Sequence, residues 1–375
     1  MMRRGIAVLL AVLLFLSGCG AQTELPAAEQ DGELTVSTDW SKLDERESLP
    51  PIGSRWYDEY TGQLIPRDDY GPLIPYAGLR LLDNWPAITG CLYGLMTTDG
   101  VVVTDAVYSR VISPSYSVGG RQAFHPLLAL YTRTQPDEAH IDGRDSWALA
   151  AGDGSWCTEF CYRGIQAGKD GLLLFDDDSI TYMSPTGEIL NTWTMAEIGL
   201  TQGEIDAINI GLEWGEGYFG DWFGDYFTLG FTDDTNEEVS LLHLPTGQKE
   251  TIDSAALWEN LAQTLEVYQP DIEDFAENLP PGDYAEVNCL WDSFSKADTP
   301  ALLAVSEYGA DGGKQLFFLC DGTPLTEFTR KSGLWYYALR PVGGLLEVLD
   351  LNTASYYDLK TMDCVFRTYL GYDAD

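Results

Sequence analysis

The fold is decided by residues 93–103, which read Tyr-Gly-Leu-Met-Thr-Thr-Asp-Gly-Val-Val-Val. One apolar run precedes Asp99-Gly100, and a second apolar run follows it. Asp-Gly favours a tight hairpin turn, because such turns need a positive φ angle that glycine adopts without strain. The stretch therefore predicts a β-hairpin, and Tyr108 and Val111 complete the unit after it.

A second copy of this unit begins at Trp147, where residues 147–157 read Trp-Ala-Leu-Ala-Ala-Gly-Asp-Gly-Ser-Trp-Cys. In both units the turn glycine comes seven positions after the opening aromatic residue, and a tyrosine comes eight positions after that glycine. Each unit is expected to form a strand, a turn, a strand and then a tyrosine that folds back. Tyr108 and Tyr162 are therefore predicted to be equivalent core residues whose truncation costs similar stability.

Short or alternating apolar runs bounded by turn-forming residues continue along the chain and predict a mainly β protein. They cover residues 92–103, 172–183, 227–231, 239–244, 316–320 and 345–351. The exception is 254–268, where apolar residues fall at helical spacing behind Ser254 as a helix cap. A short helical insertion is thus expected near 254–278. Turn glycines at 100, 154, 187, 247 and 322 are unevenly spaced, which excludes an array with one period.

With the upstream residues 70–76, Tyr-Gly-Pro-Leu-Ile-Pro-Tyr, the first unit resembles the WG-repeat proteins, a family with many exported bacterial lipoproteins. Residues 93–111 match the family's pattern of aromatic-Gly, strand, Asp-Gly turn, strand and tyrosine. Residues 147–165 match it less fully, since Ala148 stands where glycine is usual. The resemblance implies repeated β-hairpins that close into a propeller-like domain and serve as an interaction scaffold. At about 40 to 45 residues per blade, residues 70–375 have room for roughly seven blades.

The N-terminal residues 1–18 have the pattern of a cleavable signal peptide. Arg3 and Arg4 precede an apolar run over residues 5–16, which is too short to span a membrane because a span needs roughly 20 apolar residues. The run ends in Leu-Ser-Gly-Cys, which resembles the lipobox of bacterial lipoproteins and implies lipid attachment at Cys19. Acyl chains such as palmitate then anchor the chain to the cell membrane, on its extracytoplasmic face.

The mature chain is predicted to have a stalk and one domain. Residues 19–48 are polar and lack sustained apolar periodicity, so they are expected to form a flexible stalk behind the lipidated cysteine. A flexible segment of that length reaches roughly 30 Å. Residues 49–375 have enough hydrophobic and aromatic residues for a large core and are predicted to form a single domain.

The chain is strongly acidic. It has 21 Lys and Arg against 59 Asp and Glu, a net charge of −38, and removal of Arg3 and Arg4 with the signal peptide takes this charge to −40. Phosphate contacts need a basic stripe that this chain lacks, so nucleic acid is not an expected partner. The charge suits cations, cationic peptides or simple solubility.

Motifs for catalysis and cofactor binding are missing from the sequence. The histidines His125, His140 and His243 do not lie near a Gly-x-Ser-x-Gly motif, and no phosphate loop or dinucleotide fingerprint is present. Zinc spacing and the calcium-loop pattern are absent as well. We therefore expect a non-catalytic protein with no cofactor and no metal. A pair of glycosidase carboxylates among the 59 acidic residues stays open as an alternative.

Six cysteines remain besides Cys19, and an even number in an exported protein permits up to three disulfides. The sequence does not indicate which residues pair, and buried thiols are the alternative. The six are Cys91, Cys157, Cys161, Cys289, Cys320 and Cys364.

Residues 214–227 read Trp-Gly-Glu-Gly-Tyr-Phe-Gly-Asp-Trp-Phe-Gly-Asp-Tyr-Phe and suggest a ligand surface, because aromatic rings stack on sugars and anchor protein interfaces. On one continuous strand, residues spaced by four share a face. The predicted ligand-binding residues are Trp214, Tyr218, Trp222 and Tyr226, with Phe219, Phe223 and Phe227 on the opposite, core-facing side. The alternative is that these aromatic residues are core and the Gly-Asp pairs are turns.

Two functions follow from the sequence. The first is a membrane-tethered, non-catalytic scaffold that binds a protein, a peptide or an envelope glycan. The second is a cell-envelope hydrolase that acts on carbohydrate.

Overall fold

The computed structural model describes residues 64–80, 91–118, 121–133, 145–213, 222–231, 237–257, 259, 277–282, 284, 286–295, 300–309, 312–329, 338–349 and 353–372. The predicted signal peptide, Cys19 and the predicted stalk lie outside this part of the chain. No helix within it has the length and apolar character needed to cross a membrane.

The described residues are mostly β-strands, as the sequence predicts. The first eleven strands are β1 (Leu73–Arg80), β2 (Cys91–Thr97), β3 (Arg110–Ile112), β4 (Ser115–Val118), β5 (Arg121–Phe124), β6 (Leu127–Arg133), β7 (Asp145–Ala151), β8 (Gly164–Gly168), β9 (Gly171–Phe175), β10 (Ser179–Met183) and β11 (Ile189–Thr194). Two helices follow, α1 (Met195–Ile198) and α2 (Gln202–Glu213). The later strands are β12 (Trp222–Phe223), β13 (Tyr226–Phe231), β14 (Glu238–His243), β15 (Gln248–Asp253), β16 (Glu286–Leu290), β17 (Leu302–Gly309), β18 (Gly312–Leu319), β19 (Pro324–Thr329), β20 (Ala338–Val342), β21 (Leu345–Leu349), β22 (Thr353–Asp358), β23 (Cys364–Tyr369) and β24 (Gly371–Tyr372).

Most strands pair with a neighbour in the chain and are antiparallel, whereas β24 pairs with β1 in parallel. Sheet 1 has the order β2-β1-β24, and sheet 2 has the order β3-β6-β7. Sheets 3, 4, 5 and 6 each contain four consecutive strands, β8 to β11, β12 to β15, β16 to β19 and β20 to β23, and β4 and β5 form a separate hairpin. The described strands thus give six sheets of three or four strands. The count of roughly seven blades stays a prediction.

The two sequence units have the same backbone geometry, which confirms the alignment. The N–H of Tyr93 donates to the carbonyl of Tyr108 at 2.7 Å, and the N–H of Trp147 donates to the carbonyl of Tyr162 at 2.7 Å. The turn glycines have φ angles of 86° at position 100 and 76° at position 154. Each turn glycine also donates its N–H to the carbonyl three residues earlier, at 2.9 and 3.0 Å.

A pair of threonines extends this equivalence beyond the residues used for the alignment. The Oγ1 of Thr104 accepts the N–H of Leu95 at 2.8 Å, and the Oγ1 of Thr158 accepts the N–H of Leu149 at 2.9 Å. Each hydroxyl satisfies an amide of the strand before the turn. The repeated unit therefore includes a threonine four residues after its turn glycine.

The two fold-back tyrosines differ in burial. Tyr108 is fully buried and stacks on Phe160, with ring centroids 6.0 Å apart. Tyr162 is only half-buried. The prediction that the two are equivalent core residues is therefore wrong for Tyr162, and unequal costs of truncation are expected, because a half-buried ring loses fewer contacts.

Turn glycines also bring neighbouring sheets together. Gly187, in the turn between β10 and β11, lies against Trp156, which follows the turn after β7 of sheet 2, and a Cβ there would approach the indole to 2.4 Å. Gly247, in the turn between β14 and β15, lies against Trp193 of sheet 3, where a Cβ would approach the indole to 2.0 Å. Real Cβ contacts are not that short, so both positions need glycine for close packing.

Sheet 6, the last of the six in the chain, packs against sheet 1 through a turn glycine as well. Gly100 of sheet 1 lies against Val365 of β23, and a Cβ there would be 2.7 Å from the Val365 carbonyl oxygen. The backbone N–H of Ala77 in β1 donates to the hydroxyl of Tyr356 in β22 at 2.7 Å. Sheets 1 and 6 also share a buried hydrophobic cluster. Two ends of the described chain are thus joined by packing and by hydrogen bonds.

A buried carboxylate connects sheet 5 to sheet 6. Asp292 lies between β16 and β17 and is almost fully buried. It accepts the backbone N–H groups of Gly343 at 2.8 Å and Gly344 at 2.7 Å, in the turn between β20 and β21. It also accepts those of Phe294 and Ser295 in its own loop. Four such bonds offset the cost of burying the charge.

The helices differ in part from the sequence prediction. Residues 254–257 and 259 are helical, but Asp253 caps this segment by accepting the N–H of Ala256 at 3.0 Å. The predicted cap at Ser254 is therefore wrong by one residue, and residues 260–276 lie outside the described part. Helices α1 and α2 were not predicted, although Thr194 with Glu197 and Thr201 with Glu204 form capping boxes before them.

Candidate interaction surface

The predicted aromatic site is a hairpin at residues 222–227. Trp222 and Phe223 form β12, a two-residue turn follows, and Tyr226 and Phe227 begin β13. Trp222 pairs with Phe227, and Phe223 pairs with Tyr226. The prediction of one continuous strand is wrong here, because the turn reverses the chain and places Trp222 on the same face as Phe227. The other two predicted ligand residues, Trp214 and Tyr218, lie outside the described residues.

Trp222 packs between sheets 3 and 4. A Cβ at Gly168 of β8 would lie 2.1 Å from its ring, so the indole rests directly on that backbone. Its ring centroid lies 5.8 Å from that of Phe227 and 6.3 Å from that of Tyr182. These contacts make Trp222 part of the hydrophobic packing between the two sheets.

Tyr226 lies on the opposite face of sheet 4, where it packs with Phe223 against a small hydrophobic cluster that includes Leu257. Its ring centroid is 4.8 Å from that of His243, and its hydroxyl is 3.3 Å from a carboxylate oxygen of Glu250. The structure therefore does not bring Trp222 and Tyr226 to one surface.

An open groove lies elsewhere, where the outer strands of sheets 3 and 4 adjoin. Its volume is about 630 Å³. The lining residues come from β11, α1, the turn after β14, and β15: Thr192, Trp193, Glu197, Ile198, Thr246, Gly247, Gln248 and Lys249. We call it the β11–β15 groove. Trp193 and Gly247 form its floor, because the contact of the indole with the turn glycine holds the two sheets together.

The strand β11 beside this groove has an open edge. It pairs with β10 on one side and is the outer strand of sheet 3 in the described structure. Its first two residues are exposed although apolar, with 59% of Ile189 and 44% of Leu190 accessible to solvent. Among the described residues, the other large apolar side chains with comparable exposure are Ile65 and Val101. Exposed apolar residues in sequence next to a groove are typical of a contact site.

The groove carries a negative charge at its rim. The carboxylate of Glu197 accepts the N–H of Thr194 at 2.8 Å and its hydroxyl at 2.9 Å. These hydrogen bonds lower the pKa of Glu197, which is exposed, so it is ionised at neutral pH. Glu188, just before β11, is exposed as well.

Lys249 lines the groove, but its positive charge is neutralised by the buried carboxylate of Glu204. The ammonium of Lys249 lies 3.0 Å from the carboxylate of Glu204, of which only 2% is exposed. Glu204 also accepts hydrogen bonds from the hydroxyl of Ser240 and from the N–H of Thr201. Burial by itself raises the pKa of Glu204, but these hydrogen bonds outweigh it, so the net pKa is lowered. The pair fixes α2 to β15 and leaves the rim acidic.

The described histidines have structural contacts. His125 is buried, and its Nε2 lies 2.7 Å from the carbonyl oxygen of Gly168. Burial lowers the pKa of His125. The Nδ1 of His243 lies 2.7 Å from the hydroxyl of Thr246, in the turn beside the groove. His140 lies outside the described residues.

Three cysteine thiols are shielded rather than activated. Burial raises the pKa of Cys157 to about 11 and that of Cys320 to about 11. Burial also raises the pKa of Cys289. A reactive cysteine needs a lowered pKa, since the thiolate is the nucleophile. Among the described residues, no group of three or more His, Cys, Asp and Glu side chains could hold a metal ion.

The deeply buried acids are bound into the scaffold. Glu347 accepts hydrogen bonds from Arg340 and from the hydroxyl of Tyr356, and Arg340 lies over the ring of Tyr93 at 5.0 Å. This network joins β20, β21 and β22 of sheet 6 to β2 of sheet 1. A glycosidase needs one carboxylic acid that can give up its proton to the substrate. Glu347, like Glu204 and Asp292, is instead used to hold neighbouring elements together.

Comparisons with known proteins give no family assignment. The sequence matches no protein-family model and no curated protein sequence. Three solved structures are similar in part. Hsv2 of Kluyvelomyces marxianus has 9% identity and a TM-score of 0.19, and the match covers 72% of this chain and 71% of that chain. The WD40 domain of Pan2 from Neurospora crassa has 7% identity and a TM-score of 0.20, with 67% of this chain and 64% of that chain covered, and the WD40 domain of coronin from Toxoplasma gondii has 10% identity and a TM-score of 0.20, with 83% and 78% covered. These scores are too low to bear on fold or function, and the architecture rests on the strand pairing above.

Proposed function

We propose that this chain is an extracytoplasmic lipoprotein whose β-sheets form a non-catalytic scaffold for binding a protein, a peptide or an envelope glycan. The observation that carries the proposal is the β11–β15 groove, which lies beside an open strand edge. Two exposed apolar side chains precede the groove lining in that same strand. By contrast, the buried acids and the described histidines have structural contacts. Contact surfaces of this kind suit binding rather than turnover.

A propeller-like closure of the sheets is part of this proposal. Support comes from the two contacts between sheet 1 and sheet 6, Gly100 with Val365 and Ala77 with Tyr356. The same glycine packing recurs between sheets 2 and 3 and between sheets 3 and 4. A closed ring protects sheets from edge-to-edge aggregation and presents loops and grooves on a rigid body.

The tether is supported by the sequence. The cationic start, the short apolar run and the lipobox-like residues 16–19 all agree with lipid attachment at Cys19. The acidic body is repelled by anionic lipid headgroups, but the Debye length is about 8 Å at physiological salt, so a stalk of roughly 30 Å removes that repulsion. The scaffold then stands clear of the membrane on its outer side.

Mild crosslinking in membranes tests this function. The full-length chain is expressed in a bacterium, crosslinked, purified under denaturing conditions, and the captured material is analysed by mass spectrometry. We expect a reproducible partner of intact mass. Capture of a cleaved peptide or a shortened glycan would show turnover and would favour the carbohydrate hydrolase instead.

A further inference from the structure

We propose that the β11–β15 groove binds an extended, positively charged peptide segment, which adds to the open edge of β11 as a further strand. The inference rests on the proposed scaffold function and specifies the class of its partner. It depends on three features, which are the composition of β11, the exposed apolar pair at the start of that strand, and the negative charge beside the groove.

The composition of β11 leaves its edge open to pairing. Edge strands expose unpaired N–H and C=O groups, and proteins usually block them with charged residues or proline. The outer strands of the other four-stranded sheets contain such residues: Lys249 in β15, Pro324 in β19 and Arg367 in β23. The sequence of β11, Ile-Leu-Asn-Thr-Trp-Thr, contains neither a charge nor a proline. The register with β10 is interrupted at Leu190, so an extended peptide can pair through backbone hydrogen bonds with the regular part of the strand, residues 191–194.

The exposed apolar pair provides side-chain contacts at the start of the edge strand. Ile189 pairs with Met183 of β10 and Asn191 pairs with Tyr182, so Leu190 is the extra residue of a β-bulge, and both apolar side chains are exposed there. The groove lining begins at the next part of β11 and includes the exposed polar residues Thr192, Thr246 and Gln248. Hydroxyl and amide groups can bond to the backbone or polar side chains of a bound segment.

The rim charge selects a cationic partner. Glu188 and Glu197 are exposed beside the strand, while Lys249 is neutralised by Glu204. The whole chain carries −38. A second copy of this chain would bring equal negative charge to the edge and is disfavoured, whereas a peptide with Lys or Arg is attracted.

Fluorescence anisotropy with the purified full-length chain tests this proposal. The probe is a labelled peptide of alternating Lys and Val, seven residues long. A second peptide has the same sequence and charge but carries N-methyl groups on alternate backbone nitrogens, which removes the hydrogen bonds needed for strand addition. The double variant Ile189→Ala/Leu190→Ala tests the apolar contact. Val101→Ala is its matched control, because Val101 is similarly exposed but lies in the turn of sheet 1.

We expect the double variant to bind the Lys-Val peptide about tenfold more weakly, which corresponds to about 1.4 kcal/mol. The Val101→Ala variant should bind as the unchanged chain does, and the N-methylated peptide should bind at least about tenfold more weakly. Equal binding of both peptides, or equal binding to the double variant, would mean non-specific attraction to the acidic surface and would overturn the proposal.

The crosslinking experiment separates failure of this inference from failure of the scaffold function. If the double variant still captures the same intact partner, the groove is not the binding site, although the scaffold function stands. A processed partner contradicts the scaffold function itself. Dimerisation of the purified chain in sedimentation, lost in the double variant, would identify a second copy as the occupant and would also overturn the peptide proposal.

Discussion

Tyr93 and Tyr108 exchange two backbone hydrogen bonds, with N···O distances of 2.7 and 2.9 Å. Trp147 and Tyr162 exchange the corresponding pair, at 2.7 and 3.2 Å. Both pairs close a hairpin onto the tyrosine that follows it. The two units share the same backbone hydrogen bonds, so their residues occupy equivalent positions. The two tyrosines differ in burial, and comparing them tests how burial affects stability.

Truncation of the two tyrosines should have unequal effects on stability. We expect Tyr108→Ala to lower the free energy of unfolding by about 3 to 4 kcal/mol, the range for a large aromatic side chain in a core. Tyr162→Ala should cost about half of that, since its ring is half-buried. Denaturant unfolding of both variants measures the difference. Unfolding midpoints that match the unchanged chain at both positions would show that neither ring stabilises its hairpin.

The sequence predicts the repeat unit because its signals are local. An Asp-Gly turn between apolar runs determines a hairpin within about a dozen residues. Apolar spacing does not predict α1 and α2, although Thr-x-x-Glu capping boxes mark both of their starts. The regular spacing of the aromatic residues suggests a continuous strand and does not predict the reversal at Gly224 and Asp225. A two-residue turn reverses the chain direction, although the aromatic residues keep their spacing in the sequence.

Trp222→Ala tests whether this residue is core or ligand surface. We expect the free energy of unfolding to fall by about 3 kcal/mol, because the indole packs on Gly168 and Phe227 between two sheets. Tyr226→Ala, on the other face of the hairpin, should cost less. Chemical denaturation compares the two variants. Unchanged stability of Trp222→Ala together with lost partner capture would support the original prediction of an exposed ligand residue.

Glu204 should make stability depend on acid pH. Its pKa in the folded chain lies below the ordinary value of 4.5, so the unfolded chain binds its proton first as the pH falls. The contribution of Glu204 is therefore complete above about pH 4.5 and is lost as the pH falls through the lower, folded pKa. We expect Glu204→Gln to be destabilised by about 2 kcal/mol at pH 7, since Lys249 loses its partner.

The difference between Glu204→Gln and the unchanged chain should narrow on acidification. Unfolding free energies measured from pH 7 down to pH 3 check this trend, with Glu250→Gln as a control for an exposed carboxylate. A constant difference over the whole range would contradict the assigned direction of the pKa shift.

Cys19→Ala tests the lipid anchor. If Cys19 carries the lipid, its replacement should move the chain from the membrane fraction to the soluble or secreted fraction, or should leave the precursor unprocessed. Fractionation followed by mass determination distinguishes these results. Unchanged membrane association of a fully processed variant would exclude lipid attachment at this residue.

The groove could not be predicted from the sequence, because it depends on contacts between distant segments. Its floor needs Trp193 beneath Gly247, and its open edge exists because the chain turns into α1 after β11 instead of adding a strand. The absence of charge from β11 is visible in the sequence, but it has meaning only once β11 is known to be an outer strand. The aromatic segment 214–227 is more conspicuous in the sequence than β11, although Trp222 in its described part packs between sheets 3 and 4.

The most direct test of a non-catalytic scaffold is the mass of its captured partner over time. The purified chain and its partner are incubated at saturating concentration for many hours, and the partner is followed by intact-mass spectrometry while binding is followed by anisotropy. A scaffold predicts saturable binding with a partner mass that does not change. Time-dependent conversion of the partner, in proportion to the amount of this chain, would contradict the account.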